Sequence, residues 1–319
     1  MPRKSDSLLY GVGRASLSGP KSHQYRIRQN AKAFAKMLRQ CGLGVQQWNK
    51  ITNKHFQRTA DHMMAQGIGA GRIAEVFSAA RHLCRAYGNQ RISRRNGAFG
   101  IRRGSIANQQ SRAANPKVIK DILSKIASDP YEHAARCAAQ IRLQYELGLR
   151  REEAAKLDLQ NDWDRESRTL QVRYGTKGGR PRVLEHLSDE QAKALEEALP
   201  FVSRSNRPGI FNLMPEGMGD NWQHSLSYMA AKYGLTKKGV GFTLHGNRHE
   251  RFHQMYVDRT GFEPPNQHPS PQAFREAAEK VAGERWPELD ADARDAIETT
   301  AGHSAGRRDV SNAYLGSGK

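Results

Sequence analysis

The sequence predicts a mainly α-helical protein with a small antiparallel β-hairpin, divided into a helical N-terminal domain and a mixed α/β C-terminal domain. Apolar residues recur every three or four positions along most of the chain, a spacing typical of amphipathic helices. Residues 169–187 (TLQVRYGTKGGRPRVLEHL) instead alternate apolar and polar side chains around a Gly178-Gly179 pair, which indicates a hairpin. A chain of 319 residues is long enough for two hydrophobic cores.

Basic residues are concentrated in the first third of the chain. Residues 1–114 contain 21 Lys and Arg against three acidic residues, a net charge of +18. Residues 115–319 contain 30 basic and 29 acidic residues, a net charge of +1. This asymmetry favours a domain that lies along a polyanion, and nucleic acid is the polyanion we expect. A membrane surface is the weaker alternative, because no segment pairs a basic face with a strongly apolar one.

The N-terminal part divides into three segments. Residues 1–20 predict a flexible basic arm, and residues 21–90 predict three helices, of which the first ends at Gly42 and the second begins after Thr52. Residues 91–114 contain six arginines and no acidic residue, which indicates a basic linker. The arginines expected to stay exposed are candidate DNA contacts: Arg72, Arg81, Arg85, Arg91, Arg94, Arg95, Arg102 and Arg103.

The C-terminal domain is predicted to start at Asn115-Pro116, because proline favours the first position of a helix. The helices that follow are expected at about residues 116–128, 131–147 and 150–157. After the hairpin, Ser188 opens a further helix that runs through Leu199. The remainder of residues 115–319 is predicted to be mostly helical, with a proline-rich break at residues 263–271.

Several classes of protein are disfavoured by the composition. The three cysteines, Cys41, Cys84 and Cys137, are scattered without metal-binding spacing, which favours reduced thiols. No stretch is long and apolar enough to cross a bilayer, and the N-terminus has no apolar segment typical of a secretory signal. We therefore expect a cytoplasmic protein, associated with the nucleoid when it is bound to DNA.

One short motif indicates a different chemistry. Residues 249–253 read HERFH and match H-E-x-x-H, the helical pattern in which two histidines bind zinc and the glutamate acts as a base. The chain continues QMYVDR, so the third histidine of the extended motif is missing, although Glu276 or Glu279 could supply a ligand. We considered a zinc peptidase and rejected it, because short motifs often match by chance and the basic N-terminal domain has no evident use in a peptidase.

Other polar residues form a set suited to a phosphate group. His245 and Arg248 are three residues apart, so on a helix they project together. Arg150 stands at a turn into a helix, with Glu153 one turn further on to orient it. Guanidinium groups bind two oxygens of a phosphate well, and an arginine would repel a metal ion at the same place. Lys177 in the hairpin turn is a candidate proton donor to a leaving oxygen.

Taken in their order along the chain, the motifs resemble those of the tyrosine recombinases, the phage integrase family. The matching segments are ELGLRREEAAKL, TKGGRPR, TLHGNRHERF, AGHS and Tyr314. The segments YRIRQNAKAFAKML and GAGRIAEVFSAARHLCRAYG also resemble the helical core-binding domain of integrases, so the resemblance covers about residues 21–316. It implies a core-binding domain over residues 21–90 and a catalytic domain over residues 115–319.

The resemblance also implies roles for individual residues. Arg150 and Arg248 would hold the scissile phosphate, with Glu153 in support, and Tyr314 would attack it to leave a 3′-phosphotyrosine. Lys177 would protonate the departing 5′ oxygen, and His245 and His303 would bind the phosphate or assist proton transfer. The chemistry would be like that of a type IB topoisomerase, with no metal and no other cofactor.

The expected partners follow from the same resemblance. We expect double-stranded DNA carrying attachment or recombination sites, a homotetramer on DNA, and a monomer or weak oligomer in the absence of DNA. An accessory DNA-bending protein is a further possible partner. The function would be integration or excision of a mobile genetic element, and the alternative is a catalytically inactive DNA-binding relative.

The sequence departs from the family pattern between its last motifs. His245 and His303 are 58 positions apart, more than is usual, because of an insertion at about residues 259–298. Residues 263–298 of the insertion contain nine acidic and four basic side chains, so it should avoid DNA. It is either a docking surface for another protomer or accessory protein, or a surface elaboration without function. Tyr256 is the nearest rival to Tyr314 as nucleophile.

Overall fold

A computed structural model describes residues 7–102, 104, 111–219 and 221–318. The chain forms two compact units, residues 1–104 and residues 105–319, and the division falls inside the predicted linker. Each unit has its own hydrophobic core among its described residues. Helices predominate in both units, and the strands are short, as the sequence predicts.

The N-terminal unit contains four α-helices in its described part: α1 (Ser7–Arg14), α2 (Lys21–Gln40), α3 (Asn53–Ala65) and α4 (Ala70–Ala86). The predicted start of α3 is confirmed, because Thr52 is its N-cap and its backbone N–H donates to the His55 imidazole at 3.0 Å. Gly42 follows α2 with a φ of +69°, which agrees with its expected place at the helix end. The core of the unit is aromatic, with the Phe56 and Phe77 rings 4.8 Å apart and perpendicular.

Two parts of this unit differ from the prediction. The expected flexible arm, residues 1–20, is wrong for its second part, because α1 is helical and buries Leu8 and Val12 in the core. Residues 1–6 lie outside the described part of the chain. The expected linker is also ordered at its start, since Phe99 packs on Phe56 at a ring distance of 5.5 Å. Apolar residues of both segments pack into the core. The basic residues around them led the sequence analysis to predict an arm and a linker instead.

Arg81 is the one candidate DNA contact that the structure removes. Its side chain is buried, donates hydrogen bonds to the Ser93 carbonyl at 2.7 Å and to Asn96 at 2.8 Å, and lies over the Phe56 ring. The expectation that Arg81 is exposed is therefore wrong, because its position on α4 faces the segment after the helix. Arg103 lies outside the described residues. The other candidates are at the surface: Arg72, Arg85, Arg91, Arg94, Arg95 and Arg102.

The C-terminal unit is also mainly helical. Its first helices are α5 (Pro116–Ala127), α6 (Ala134–Leu147), α7 (Arg151–Lys156) and α8 (Leu159–Asp162). Asn115 caps α5 by accepting hydrogen bonds from the backbone N–H groups of Lys117 and Val118. After the sheet come α9 (Asp189–Ala198), α10 (Asn221–Lys232), α11 (Lys237–Val240), α12 (Leu244–Thr260), α13 (Pro271–Ala282), α14 (Trp286–Thr300) and α15 (Arg308–Leu315).

The predicted hairpin is part of a three-stranded antiparallel sheet. Its strands are β1 (Trp163–Asp164), β2 (Thr169–Val172) and β3 (Arg182–Leu184), in that order, and the sequence prediction missed β1. Leu170 pairs with Leu184, and both are buried against α6 and α9. A second two-stranded sheet pairs β4 (Ser203–Arg204) with β5 (Phe211–Asn212). The alternation of residues 169–184 therefore reports the buried face of β2 correctly.

The insertion folds into the domain rather than standing apart from it. It forms a 3-10 turn at Pro265–Gln267 and then α13 and α14. Phe274 and Ile297 of these helices share a core with Phe252 of α12 and Tyr314 of α15. Several acidic side chains of the insertion lie at the surface: Glu276, Glu279, Glu284, Glu288 and Asp292.

Candidate active site

Arg248 is a fully buried arginine on the second turn of α12. Its Nη1 donates to the Gly148 carbonyl at 2.5 Å, its Nη2 to the Ala301 carbonyl at 2.9 Å, and its Nε to the Tyr314 hydroxyl at 2.9 Å. These bonds use three of its five N–H groups within the described chain. Two N–H groups remain for another acceptor, which makes Arg248 a candidate anion ligand.

Arg150 joins Arg248 from a different helix end. It follows Gly148, which ends α6 in the left-handed conformation, and it is the N-cap of α7. Its Nη2 donates to the Ala301 carbonyl at 2.9 Å, the same oxygen that Arg248 contacts. The two guanidinium groups therefore converge on one carbonyl at the end of α14. The predicted pairing of Arg150 with Arg248 in space agrees with this geometry.

Glu153 is the buried anion that holds these cations together. Its carboxylate accepts hydrogen bonds from Arg150 at 2.6 Å and from both Nη atoms of Arg182, and it lies 3.7 Å from Arg248. Burial alone would raise the pKa of Glu153, but the hydrogen bonds and charge of Arg182, together with Arg248 and the Arg150 backbone, lower it to about 2. Glu153 is therefore ionised at neutral pH, and the expected supporting role fits its contacts.

Tyr314 lies on α15 beside Arg248 and is only 7% exposed. Its ring packs on Phe252 at 4.6 Å and on His249 at 4.8 Å. The hydroxyl accepts the hydrogen bond from Arg248 Nε, so the phenol oxygen is already at the guanidinium. The rival nucleophile, Tyr256, is in a different position, because its hydroxyl donates to Asp290 at 2.6 Å and burial raises its pKa.

Two histidines lie at the edge of the same group. The His245 ring is 6.1 Å from that of Tyr314, and although the residue is exposed, enclosure of its ring by the site and the charges of Arg248 and Arg150 lower its pKa to about 4. Burial, followed by the charge of Arg150 and neighbouring cations, also lowers the pKa of His303. Both imidazoles are therefore neutral at pH 7 and can accept a proton.

Lys177 lies in the turn between β2 and β3, where it is exposed. Its charge is among those that lower the pKa of His303, so the turn is on the same side of the unit as that histidine. Gly175 holds the hairpin against α7: its φ is +73°, and a Cβ there would lie 2.4 Å from the Glu152 carbonyl oxygen. The hairpin is thus fixed beside Glu153, and Lys177 is at its solvent-facing tip.

The HERFH histidines have protein partners. His249 packs on Tyr314, and His253 Nε2 is 3.0 Å from the Tyr314 carbonyl oxygen, with its Nδ1 3.0 Å from Gln267. Among the described residues, no three His, Cys, Asp or Glu side chains are grouped to hold a metal ion.

No helix in the described part of the chain has the length and apolar character needed to cross a membrane.

Two residues of the site were missed by the sequence analysis. Arg182 on β3 forms the double hydrogen bond to Glu153, and its side chain is only 7% exposed. Arg112 is exposed, and its charge contributes to the lowered pKa of His245 and His249. Arg182 stands in the hairpin motif TKGGRPR, directly after the turn. Alternation along the strand would have indicated that its side chain points toward the protein. Arg112 carried no signal, because six arginines crowd residues 91–114.

Comparison with known proteins finds one family that resembles part of the chain. The integrase family model matches residues 100–210, which include Arg150, Glu153, Lys177 and Arg182. The sequence matches no curated protein significantly.

Solved structures extend the similarity to most of the chain. A lambda integrase dimer bound to a COC′ core site matches with 16% identity and a TM-score of 0.54, covering 96% of this chain and 76% of that one. Lambda integrase residues 75–356 bound to DNA match with 16% identity and a TM-score of 0.52, covering 92% and 96%. The XerH recombinase bound to a palindromic difH substrate matches with 14% identity and a TM-score of 0.53, covering 86% and 94%.

The chain therefore has the fold of the tyrosine recombinases, and the predicted resemblance is confirmed. The predicted fold class, mainly helical with a small antiparallel sheet, is also confirmed. At these identities the similarity concerns the fold, so the chemistry rests on the residues of the site.

Proposed function

We propose that this protein is a site-specific DNA recombinase that cleaves and rejoins DNA through a 3′-phosphotyrosine intermediate. The observation that carries the proposal is the convergence of Arg150 and Arg248 on the Ala301 carbonyl, with the Tyr314 hydroxyl bonded to Arg248. This arrangement supports the proposal, because it would bring a nucleophile and two phosphate ligands together.

The guanidinium groups supply the electrostatic part of the reaction. Attack on a phosphodiester adds charge to the non-bridging oxygens, and fixed N–H donors that point at those oxygens stabilise the transition state. Arg150 and Arg248 are held by Glu153 and by carbonyl groups, so little reorganisation is needed when the phosphate arrives. Because Arg248 is fully buried, the Tyr314 phenol must shift as the phosphate enters.

The covalent step exchanges one phosphate ester for another. The Tyr314 oxygen forms a bond to phosphorus, and the bond from phosphorus to the 5′ oxygen breaks. The phenol proton passes to a neutral base, for which His245 and His303 are available, and Lys177 gives a proton to the departing oxygen. The reverse sequence with a different 5′ hydroxyl rejoins the strand. No net bond energy is lost, so neither ATP nor a metal is required for the exchange.

The N-terminal unit is proposed to bind the duplex. It carries most of the net positive charge, and exposed basic residues line α2 and the segment after α4. Lys32, Lys36 and Arg39 project from the exposed side of α2, while Arg85 and Arg95 are exposed further along the chain. Phosphate contacts of this kind give affinity and position the protein on DNA.

The biological context is proposed from the resemblance. One lambda integrase structure contains a COC′ core site and another contains DNA, and the XerH structure contains a palindromic difH substrate. We propose that this chain likewise acts on paired DNA sites, as a tetramer on DNA, to integrate or excise a mobile element in the cytoplasm. A DNA-bending protein would assist by bringing the sites together.

A nicked suicide substrate tests the proposal. Loss of the short fragment beyond the nick prevents rejoining, so the enzyme should accumulate as a covalent adduct with DNA. Tyr314→Phe should abolish the adduct and leave DNA binding unchanged, whereas Tyr256→Phe should still form it. Persistent adduct in Tyr314→Phe would contradict the assignment, and DNA binding without any adduct in the unaltered protein would identify an inactive relative.

A further inference from the structure

The insertion (residues 259–298) packs against the helix that carries the proposed nucleophile. Phe274 and Ala278 of α13 and Ile297 of α14 are fully buried against Phe252, Tyr256 and Leu315. Burial of this kind stabilises α15 on its own subunit, because removing large apolar side chains from water is favourable. The insertion is therefore part of the support for Tyr314.

Hydrogen bonds from the insertion reach the main chain of the nucleophile itself. The Asn266 amide donates to the Tyr314 carbonyl at 2.8 Å, and the same oxygen lies 3.0 Å from His253 Nε2. Gln267 donates to His253 Nδ1, which leaves Nε2 as the protonated nitrogen that faces Tyr314. Burial lowers the pKa of His253, so this neutral tautomer is kept at pH 7.

A second set of contacts holds the two ends of α15. Arg294 is 3% exposed and donates to Asn312 at 2.8 Å and to the Gly316 carbonyl at 3.2 Å. Glu298 is fully buried and accepts hydrogen bonds from Ser311 at 2.7 Å and from Arg308 at 3.0 Å. One face of α14 therefore fixes the helix before and after the nucleophile.

The insertion also lies close to the backbone just after Tyr314. Gly316 has a φ of +83°, and a Cβ there would lie 2.9 Å from the Asn266 Cβ and 3.0 Å from its backbone nitrogen. Because the two backbones approach this closely, the segment after Tyr314 cannot move away from the insertion without losing its contacts with Asn266. The turn at Pro265–Gln267 thus packs directly on the chain that follows the nucleophile.

We propose that the insertion is a clasp that fastens the nucleophile helix to its own protomer, with Asn266 and Arg294 as positioning residues for Tyr314. The inference rests on the proposed function. It implies that Tyr314 attacks the phosphate held by the arginines of the same chain. It also implies that loosening the clasp slows the covalent step without weakening DNA binding.

Matched variants of the full chain test the positioning role on the suicide substrate. Asn266→Asp keeps the size of the side chain but replaces the donor with an acceptor, and Arg294→Gln removes the link to Gly316. We expect each to slow adduct formation at least tenfold, with the DNA Kd unchanged. The controls are Gln272→Glu and Arg275→Gln, the same charge changes at exposed positions of α13, and both should react at the original rate.

The outcomes separate the clasp from the parent proposal. Adduct formation in the unaltered protein, with unchanged rates in Asn266→Asp, would overturn the clasp and leave the recombinase proposal standing. Absence of adduct in the unaltered protein would instead overturn the recombinase proposal. Should Arg294→Gln fail to fold, Asn266→Asp gives the decisive result, because Asn266 is only half-buried.

Mixing two inactive chains tests the cis arrangement. Arg150→Gln keeps Tyr314 and the insertion but lacks one phosphate ligand, while Tyr314→Phe keeps both arginines and lacks the nucleophile. With the helix fastened in cis, the mixture should form no more adduct than either chain alone. Adduct on an affinity-tagged Arg150→Gln chain that appears only in the mixture would show donation in trans and overturn the proposal.

Discussion

At the scale of single residues, Glu153 is the anion around which the guanidinium groups of the site are arranged. It is fully buried and contacts Arg150, Arg182 and Arg248. Without its charge, three cations would face one another in a region of low dielectric constant, and their mutual repulsion would oppose folding. Glu153 therefore contributes to stability, and in the proposed reaction it would also fix the geometry of the phosphate-binding arginines.

This role predicts a pH-dependent contribution to stability. The pKa of Glu153 falls from an ordinary value of 4.5 to about 2 on folding, which corresponds to about 3 kcal/mol. Because the folded pKa is the lower one, the contribution is present above pH 4.5 and is lost as the pH falls toward 2. Glu153→Gln should lower the free energy of unfolding by about 3 kcal/mol at pH 7, measured by urea unfolding.

The control for this experiment is its exposed neighbour. Glu152 pairs with Lys156 at the surface of α7, so Glu152→Gln should change stability by less than about 1 kcal/mol. The difference between Glu153→Gln and the unaltered protein should shrink between pH 4.5 and pH 2. A constant difference over that range would show that Glu153 does not act through its charge.

At the scale of secondary-structure elements, the sequence predicted the hairpin but not how it is attached. Alternation in residues 169–184 showed which side of β2 is buried, because side-chain direction on a strand has a period of two. Contact of Gly175 with the start of α7 joins residues that are far apart in the chain, so local pattern could not reveal it. Arg182 was missed for the same reason, since its partner, Glu153, belongs to another element.

The attachment of the hairpin predicts a position-specific effect of alanine. Gly175→Ala would place a Cβ 2.4 Å from the Glu152 carbonyl oxygen and also strain a residue with φ of +73°. We expect a loss of about 3 kcal/mol in unfolding free energy, from backbone strain plus overpacking, and slower adduct formation because Lys177 moves with the turn. Chemical denaturation and the suicide-substrate assay measure the two effects.

Gly179 is the matched control in the same hairpin. Its φ is +70°, but no atom lies within 4 Å of a Cβ built there. Gly179→Ala should therefore lose only the backbone strain, about 1 kcal/mol. Equal losses for the two variants would show that contact with α7 is not what makes Gly175 necessary.

At the scale of the whole molecule, charge is divided between the two units. Residues 1–114 carry nearly all the net positive charge, +18, and residues 115–319 are almost neutral, with a net charge of +1. Such a distribution fits the proposed division of tasks, in which one unit supplies general affinity for DNA and the other would hold the reacting phosphate. The acidic surface of the insertion fits this division, because it would be repelled by DNA.

This division of charge predicts that the salt dependence of DNA binding arises mainly from basic residues of the first unit. Each phosphate neutralised by a side chain contributes about 0.9 to the slope of log K against log salt concentration. Changing both Arg85 and Arg95 to alanine should therefore reduce the slope by about 2, as measured by fluorescence anisotropy with a labelled duplex. Arg275→Ala, on the insertion, should leave it unchanged, and an unchanged slope in the double variant would remove those two arginines from the interface.

From the sequence alone came the helices of residues 21–90, the first helices of the second unit, the hairpin, the basic front of the chain and most of the residues proposed to bind a phosphate. Those features are local in origin: periodicity fixes each buried face, and charge and residue type can be counted without coordinates. The tertiary structure was needed to show that Arg81 is internal, that Arg182 completes the Glu153 cluster and that the insertion contacts Tyr314. Each depends on contacts between residues distant in the chain, which folding creates and no single segment encodes.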